Sequence, residues 1–238
     1  SFIKSLLQSS YARSSMSSTT DPFDIIKKSK ILLPAELMLA KPYYLPIRTF
    51  KELGEVDSLT NVLGFLSKQG SQVRAVIQMV VTPAHFGWQK AALASGKSKS
   101  YDAEKGTYVD KQTANQALIS GKAAFPGGRV AIRVIAGTDD ATFGMEGLES
   151  FVSGIAGTYG GLGMGEGNQF KLRKVMLTKN AFIQRAKNRT FSHFERRLQI
   201  MNAPELATLW HPTGKVMAGI KNIQWGKTLS GEPPPSLP

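Results

Sequence analysis

Alternation of apolar and polar positions marks two strands before anything else in this chain. Residues 72–81 put Val73, Ala75, Ile77, Met79 and Val81 on one side and Arg74 and Gln78 on the other, and Val76 and Val80 make that second side partly apolar. The pattern predicts a strand covered on both faces, and so a central one. Residues 129–136 repeat the two-residue period through Val130, Ile132 and Val134. Residues 170–177 predict a third strand, and residues 45–50 a fourth, which Pro46 restricts to a strand start or an edge. Helical spacing appears three times. Phe2, Ile3, Leu6 and Leu7 predict a helix over 2–9. Leu59, Val62, Leu63 and Leu66 predict another, capped by Asp57 and closed by Lys68 and Gly70. Leu148, Phe151, Val152, Ile155 and Tyr159 form the strongest helical face. Residues 85–95 predict a helix carrying Trp88.

The segments between these elements set the organisation. Residues 14–20 are a Ser/Thr run with almost no apolar content and read as a loop following the N-terminal helix, so residues 1–20 form a separate leading segment. Residues 96–128 are polar, rich in Gly and Lys and broken by Pro126-Gly127-Gly128; they predict an insertion or long loop with a short helix near 111–119. Residues 160–167 form a glycine-rich loop. The order strand, helix, strand, helix, strand predicts an α+β fold over 21–214, a ferredoxin-like sandwich with a mixed sheet and helices on one face. It divides into two related halves, 21–82 and 83–200, without a strict repeat. In residues 215–238, Ile220, Asn222 and Gln224 alternate with Lys221, Ile223 and Trp225. This predicts one more strand over 219–225, followed by an extended Pro-rich spacer over 232–238.

Composition narrows the function classes. At 238 residues with 42% apolar content, the chain is long enough to bury a sizeable core. No run of eighteen apolar residues is present, so no membrane span is expected. The absence of Cys excludes disulfides and thiolate metal sites and fits a reducing compartment. His85, His193 and His211 lie far apart in sequence, in no ligand spacing. Gly96-Lys97-Ser98, Thr213-Gly214-Lys215 and Gly226-Lys227-Thr228 each lack the upstream glycine of a phosphate-binding loop, and residues 160–167 miss the G-x-G-x-x-G spacing. Asp139-Asp140 reads as a turn and helix cap. The sequence therefore assigns no catalytic residue, no cofactor and no metal.

Charge supplies the candidate site. The net charge is +13, and residues 171–197 hold nine basic residues against one acid, Glu195. The candidate contacts to nucleic acid or another anion are Lys171, Arg173, Lys174, Arg185, Lys187, Arg189, Arg196 and Arg197, with Phe191 and Phe194 interleaved. Lys and Arg give affinity for phosphates regardless of base sequence, and aromatic rings stack on unpaired bases. The competing reading puts Phe182 and its neighbours in the core and leaves the cations on a solvated face. Trp88, Trp210 and Trp225 read as packing residues.

The most distinctive run is residues 201–212. Asn202 and Glu205 have capping-box spacing, Pro204 suits a first turn, Leu206, Leu209 and Trp210 form an apolar stripe, and His211 and Pro212 end the helix. The same run resembles the segment just before the motor domain of coupling ATPases of type IV secretion and conjugative DNA transfer, the HerA/FtsK-like group. Upstream pieces fall in that family's order: residues 44–50, Val56-Asp57-Ser58-Leu59, Leu66-Ser67-Lys68, residues 75–79 and Trp88-Gln89-Lys90. The resemblance implies a non-catalytic accessory domain on the cytoplasmic side of the membrane, which positions a following ATPase motor that assembles into a ring. It further implies contact with DNA, with the anionic membrane surface or with other secretion subunits. The parent polypeptide would then be an ATPase although this segment is not an enzyme. The alternative, resting on charge alone, is a stand-alone basic nucleic-acid-binding structural protein.

Overall fold

The computed structural model describes residues 2–10, 18–54, 57–191 and 199–211. In chain order the elements are α1 (Phe2–Ser10), α2 (Pro22–Ile26), β1 (Ile31–Leu39), α3 (Phe50–Leu53), α4 (Ser58–Ser67), β2 (Arg74–Pro83), α5 (Trp88–Ser95), β3 (Lys97–Asp102), β4 (Thr107–Gln112), α6 (Gln116–Ala123), β5 (Gly127–Thr138), α7 (Gly144–Thr158), β6 (Phe170–Lys174), α8 (Lys179–Lys187), β7 (Ile200–Asn202) and α9 (Ala203–Leu209). The fold is α+β. The main sheet runs β2-β5-β1-β6, with the short β7 also paired to β5. Its four long strands, in chain order, take the spatial order second, third, first, fourth. Two strand–helix–strand units, β1-α4-β2 and β5-α7-β6, are thereby interlocked in one ferredoxin-like sandwich.

Two details differ from the sequence expectation. The sheet is not mixed: every pairing among the described strands is antiparallel. Each unit's two strands run the same way, but a strand of the other unit lies between them, so no parallel neighbours meet. Helices also cover both faces. On one, α7 and α4 pack on Leu33, Ala35 and Leu37 of β1 and Val130, Ile132 and Val134 of β5. On the other, α2 and α8 bring Phe23, Ile26, Phe182 and Ala186 onto Ile135, Leu32 and Val76. This double cover explains why 72–81 reads as central when β2 is the outer strand among those described.

The strand expected over 45–50 is absent: residues 45–49 form an irregular connection and Phe50 opens α3. The strand that sequence patterning overlooks is β1, a nearly continuous apolar run holding Pro34 and Glu36. Pro34 fits because β6 pairs only as far as Ala35, and Pro34 meets it just beyond through its C=O, which accepts from Val175 N–H at 2.9 Å. Its missing donor lies on that same side, so the ladder with β6 stops there. Residues 96–128 hold more structure than a loop: the β3–β4 hairpin, with Tyr101 and Tyr108 stacked edge-on at 5.4 Å, and then α6. α5 and α6 bury Trp88, Ala92 and Ile119 with Leu45 and Ile200 in a third cluster. The strand expected over 219–225 and the Pro-rich spacer lie outside the described residues.

Candidate functional site

The basic face starts at one row across the sheet. Gln78 on β2 registers with Arg133 on β5, Arg133 with Glu36 on β1, and Glu36 with Arg173 on the outer strand β6. All four sit under α8. Arg133 is buried and donates to Gln78 Oε1 at 3.2 Å, to the Arg185 carbonyl at 3.4 Å and to the Thr190 carbonyl at 2.5 Å, and its guanidinium lies 5.7 Å from the Phe182 ring. Gln78 Nε2 in turn donates to the Ala186 carbonyl. Charges in this row fasten the last turn of α8 to the sheet.

The candidate cations extend from there, and four of the six described have an acid. Arg173 meets Glu36 at 2.5 Å, Lys174 meets Glu149 of α7 at 2.6 Å, Lys187 meets Asp24 of α2 at 2.8 Å, and Arg189 meets Asp21 at 3.2 Å. The Lys187 ammonium, helped by Lys27, holds the Asp24 carboxyl down at about 2, and Asp24 raises the Lys187 ammonium above its ordinary value. Lys171 and Arg185 carry no ion pair to a described carboxylate. Phe191 packs against the Arg129 guanidinium, 4.6 Å from its ring centre. Arg196, Arg197 and Phe194 lie outside the described residues. Phe182 is buried, as the competing reading required. The described part of the segment thus ties α2 and α7 to their neighbours, and among its described cations in the named set Lys171 and Arg185 are the ones without such an acid.

A second polar group sits around α9. Asn202 accepts from Glu205 N–H at 3.0 Å while Glu205 accepts from Asn202 N–H at 2.8 Å, the expected capping box. The same carboxylate also accepts from Ile47 N–H at 2.9 Å and meets Lys122 at 3.0 Å, both side chains being fully buried. Burial pulls the Lys122 ammonium below its usual value, against the opposing pull of Glu205. Thr208 accepts from Phe50 N–H, and its carbonyl accepts from the Ser58 hydroxyl. His211 sets Nδ1 3.0 Å from the Ala207 carbonyl and Nε2 3.0 Å from Asp57 Oδ1, which also caps α4 through Leu59 N–H. α9 is therefore fixed to α6, to the connection before α4 and to the start of α4.

Beside α9 opens an apolar groove of about 610 Å³. Leu59, Leu63 and Leu66 of α4 form one wall and Ala75, Ile77 and Met79 of β2 the other, with Trp210 and His211 at one end. Trp210 is 63% exposed, not the packed residue that its apolar stripe suggests. Among the described residues, no group of three or more His, Cys, Asp or Glu side chains is placed to hold a metal ion, and no helix is long and apolar enough to cross a membrane. The His85 ring bonds its neighbour's carbonyl through Nδ1, and His193 lies outside the described residues. Asp140 caps a turn through Thr142 and Phe143, and Asp139 accepts from Lys30 N–H and pairs with Arg74 at 2.7 Å, which keeps its carboxyl low.

Sequence reasoning missed Glu36, Arg133, Lys122 and the groove. A lone charge inside an apolar strand pattern was the available signal for Glu36 and Arg133, because a charge there needs a partner. Lys122 gave no such signal, since its partner is 83 positions along the chain and reached only in the fold. No curated protein and no solved structure matches the chain. One family profile does, over residues 2–218, and the chain belongs to that family, described as a domain of unknown function, DUF8128.

Proposed function

We propose that this chain is a non-catalytic positioning domain of a type IV secretion-like coupling ATPase, set at the cytoplasmic face of the membrane beside a following motor and other secretion subunits. The observation that carries the reading is the immobilised α9. The run that resembles the family's pre-motor segment is the one held by the buried Lys122–Glu205 pair and by Thr208 and His211. Whatever follows such a helix leaves from a defined point in a defined direction, as a positioning domain requires. The reading is tested by the coding sequence beyond Pro238 and by ATP turnover. A downstream Gly-x-x-x-x-Gly-Lys-Ser/Thr and no turnover by the present chain alone are expected. A stop codon directly after Pro238, or steady turnover by the purified chain, would overturn it.

The rival, a basic nucleic-acid-binding protein, draws on Lys171 and Arg185. Each phosphate neutralised steepens the salt dependence of binding. With four of the described cations already holding acids, single-stranded DNA binding is expected to be weak and its salt slope shallow. A slope showing many phosphate contacts, lost in the Lys171→Gln/Arg185→Gln double variant, would favour the rival.

A further inference from the structure

Asn168 follows the glycine-rich loop, is fully buried, and has every polar atom in use. Its Oδ1 accepts from the N–H groups of Lys41 at 2.9 Å and Gln169 at 3.0 Å. Its Nδ2 donates to the carbonyls of Lys41, Pro42 and Leu45 at 3.1, 2.9 and 3.3 Å. Its N–H donates to the Pro46 carbonyl at 2.7 Å, and its own carbonyl accepts from Met164 N–H at 2.9 Å. Gly167 lies so close to the same stretch that a Cβ there would collide with the Pro46 carbonyl oxygen. The loop is thus seated on residues 41–48 by a backbone contact that admits no side chain.

The other side of that stretch holds α9. Ile47 N–H donates to Glu205 Oε1 at 2.9 Å, and the Leu45 carbonyl accepts from Lys122 Nζ at 3.3 Å. Lys122 is the buried cation paired with Glu205, and its carbonyl accepts from Asn202 Nδ2 of the α9 cap at 3.1 Å. Two donors therefore share the Leu45 carbonyl, Asn168 from the loop and Lys122 from the α9 network. The next groups keep dividing in this way. The Pro46 carbonyl and Arg48 N–H bond to the loop, the latter at the Leu162 carbonyl, while Ile47 N–H between them bonds to α9. The side chains divide too: Leu45 enters the cluster of α5 and α6, and Ile47 the main core. Among the described residues no hydrogen bond joins the loop to α9 directly. Lifting the loop would strip buried carbonyls of their donors and free the backbone that presents Ile47 N–H to Glu205. A buried carboxylate short of donors is costly, so α9 would loosen with it.

We propose that residues 160–168 and α9 are coupled through residues 45–48 and open as one unit, which makes the outer surface of the loop a lever on the direction of α9. Gly160, Gly161, Gly165 and Glu166 are exposed, so a partner can reach the loop backbone within a few residues of Asn168. The coupling does not depend on what lies beyond α9, and it stands or falls separately from the positioning-domain reading.

Native-state hydrogen exchange of the 238-residue chain at low denaturant tests it. Amides of Met164 and Asn168 in the loop, of Ile47 and Arg48, and of Asn202 and Glu205 at α9 are expected to share one opening free energy and one denaturant slope. Val152 and Ile155, in the middle of α7, open only with the whole domain. Asn168→Ala is expected to speed exchange at Asn202 and Glu205 about tenfold or more beyond any change at Val152 and Ile155. By reciprocity, Glu205→Gln speeds Met164 and Asn168 in the same way. Lys41→Met removes the exposed bond from Lys41 Nζ to the Gly165 carbonyl and leaves α9 unchanged. Different slopes for the loop and α9 in the parent would overturn the proposal, a result that needs no variant. An effect of Asn168→Ala no larger at α9 than at α7 would also overturn it, since that is a general loss of stability. So would an equal effect of Lys41→Met.

Discussion

The two faces of the main sheet are held by different physics. Under α7 and α4 the contacts are aliphatic: Leu33, Leu37, Val134, Leu148, Val152 and Ile155 are buried with no polar group among them. Under α8 and α2 the same strands carry the row Gln78, Arg133, Glu36, Arg173, flanked by the ion pairs of Asp21 and Asp24. The first face gains from area removed from water, which is non-directional. The second depends on the geometry of a few charge-assisted bonds. It follows that a cluster of cations in sequence can serve as an internal fastening, and that net charge alone says little about an external partner.

The comparison is most strongly broken at Arg133. Arg133→Leu leaves the Gln78 oxygen and two α8-end carbonyls without their donor beside the buried Glu36, and is expected to cost about 4 kcal/mol in urea unfolding. Adding Glu36→Leu should not recover that loss, because its carboxylate is held by Arg173 and the acceptors left by Arg133 stay without their donor. Leu148→Ala on the other face should cost about 3 kcal/mol, a cavity loss that no second charge change repairs. Asn202→Ala, at the α9 cap between the faces, should cost about 1 kcal/mol. Arg173→Gln removes a half-exposed partner, so after solvent screening its effect should stay below about 1 kcal/mol and shrink with added salt. The smallest effect belongs to Asp24. Its folded carboxyl sits at about 2 against an ordinary 3.8, so the stabilisation is fully present above 3.8 and is lost as pH falls towards 2. Asp24→Asn should flatten that stretch of the stability–pH curve and lower the plateau above 3.8 by the same small amount that the parent loses on acidification.

Legibility from sequence followed the same division. The α7 face, α4 with its Asp57 cap, β2, β5 and the Asn202–Glu205 capping box were readable, because periodicity and capping are local signals that span a few residues. β1 was not, since a strand buried on both faces loses its alternation, and Pro34 and Glu36 look like reasons against it. The outer position of β2 and the antiparallel sheet depend on which strand inserts between which, a property of topology that no window of sequence carries. The polar network was invisible for a related reason. Glu36 finds Arg173 at the far side of the chain, and Glu205 finds Lys122 in the insertion, so each looks locally like an isolated charge. The described cations of residues 171–197 find their acids outside the segment, in Glu36 of β1, Asp24 of α2 with its cap Asp21, and Glu149 of α7.

Trp88 lies against the start of β5 so closely that a methyl group on Gly127 would stand 2.7 Å from its indole ring. The segment joining β2 to β5 is therefore no detachable appendage, although it interrupts what would otherwise be a plain hairpin. Shortening it to a tight turn would strip the cover from Leu45 and Ile200 and leave a bare glycine where the indole had rested. The insertion and residue 127 are therefore coupled, and a side chain at 127 is compatible with the fold only where the indole moves aside.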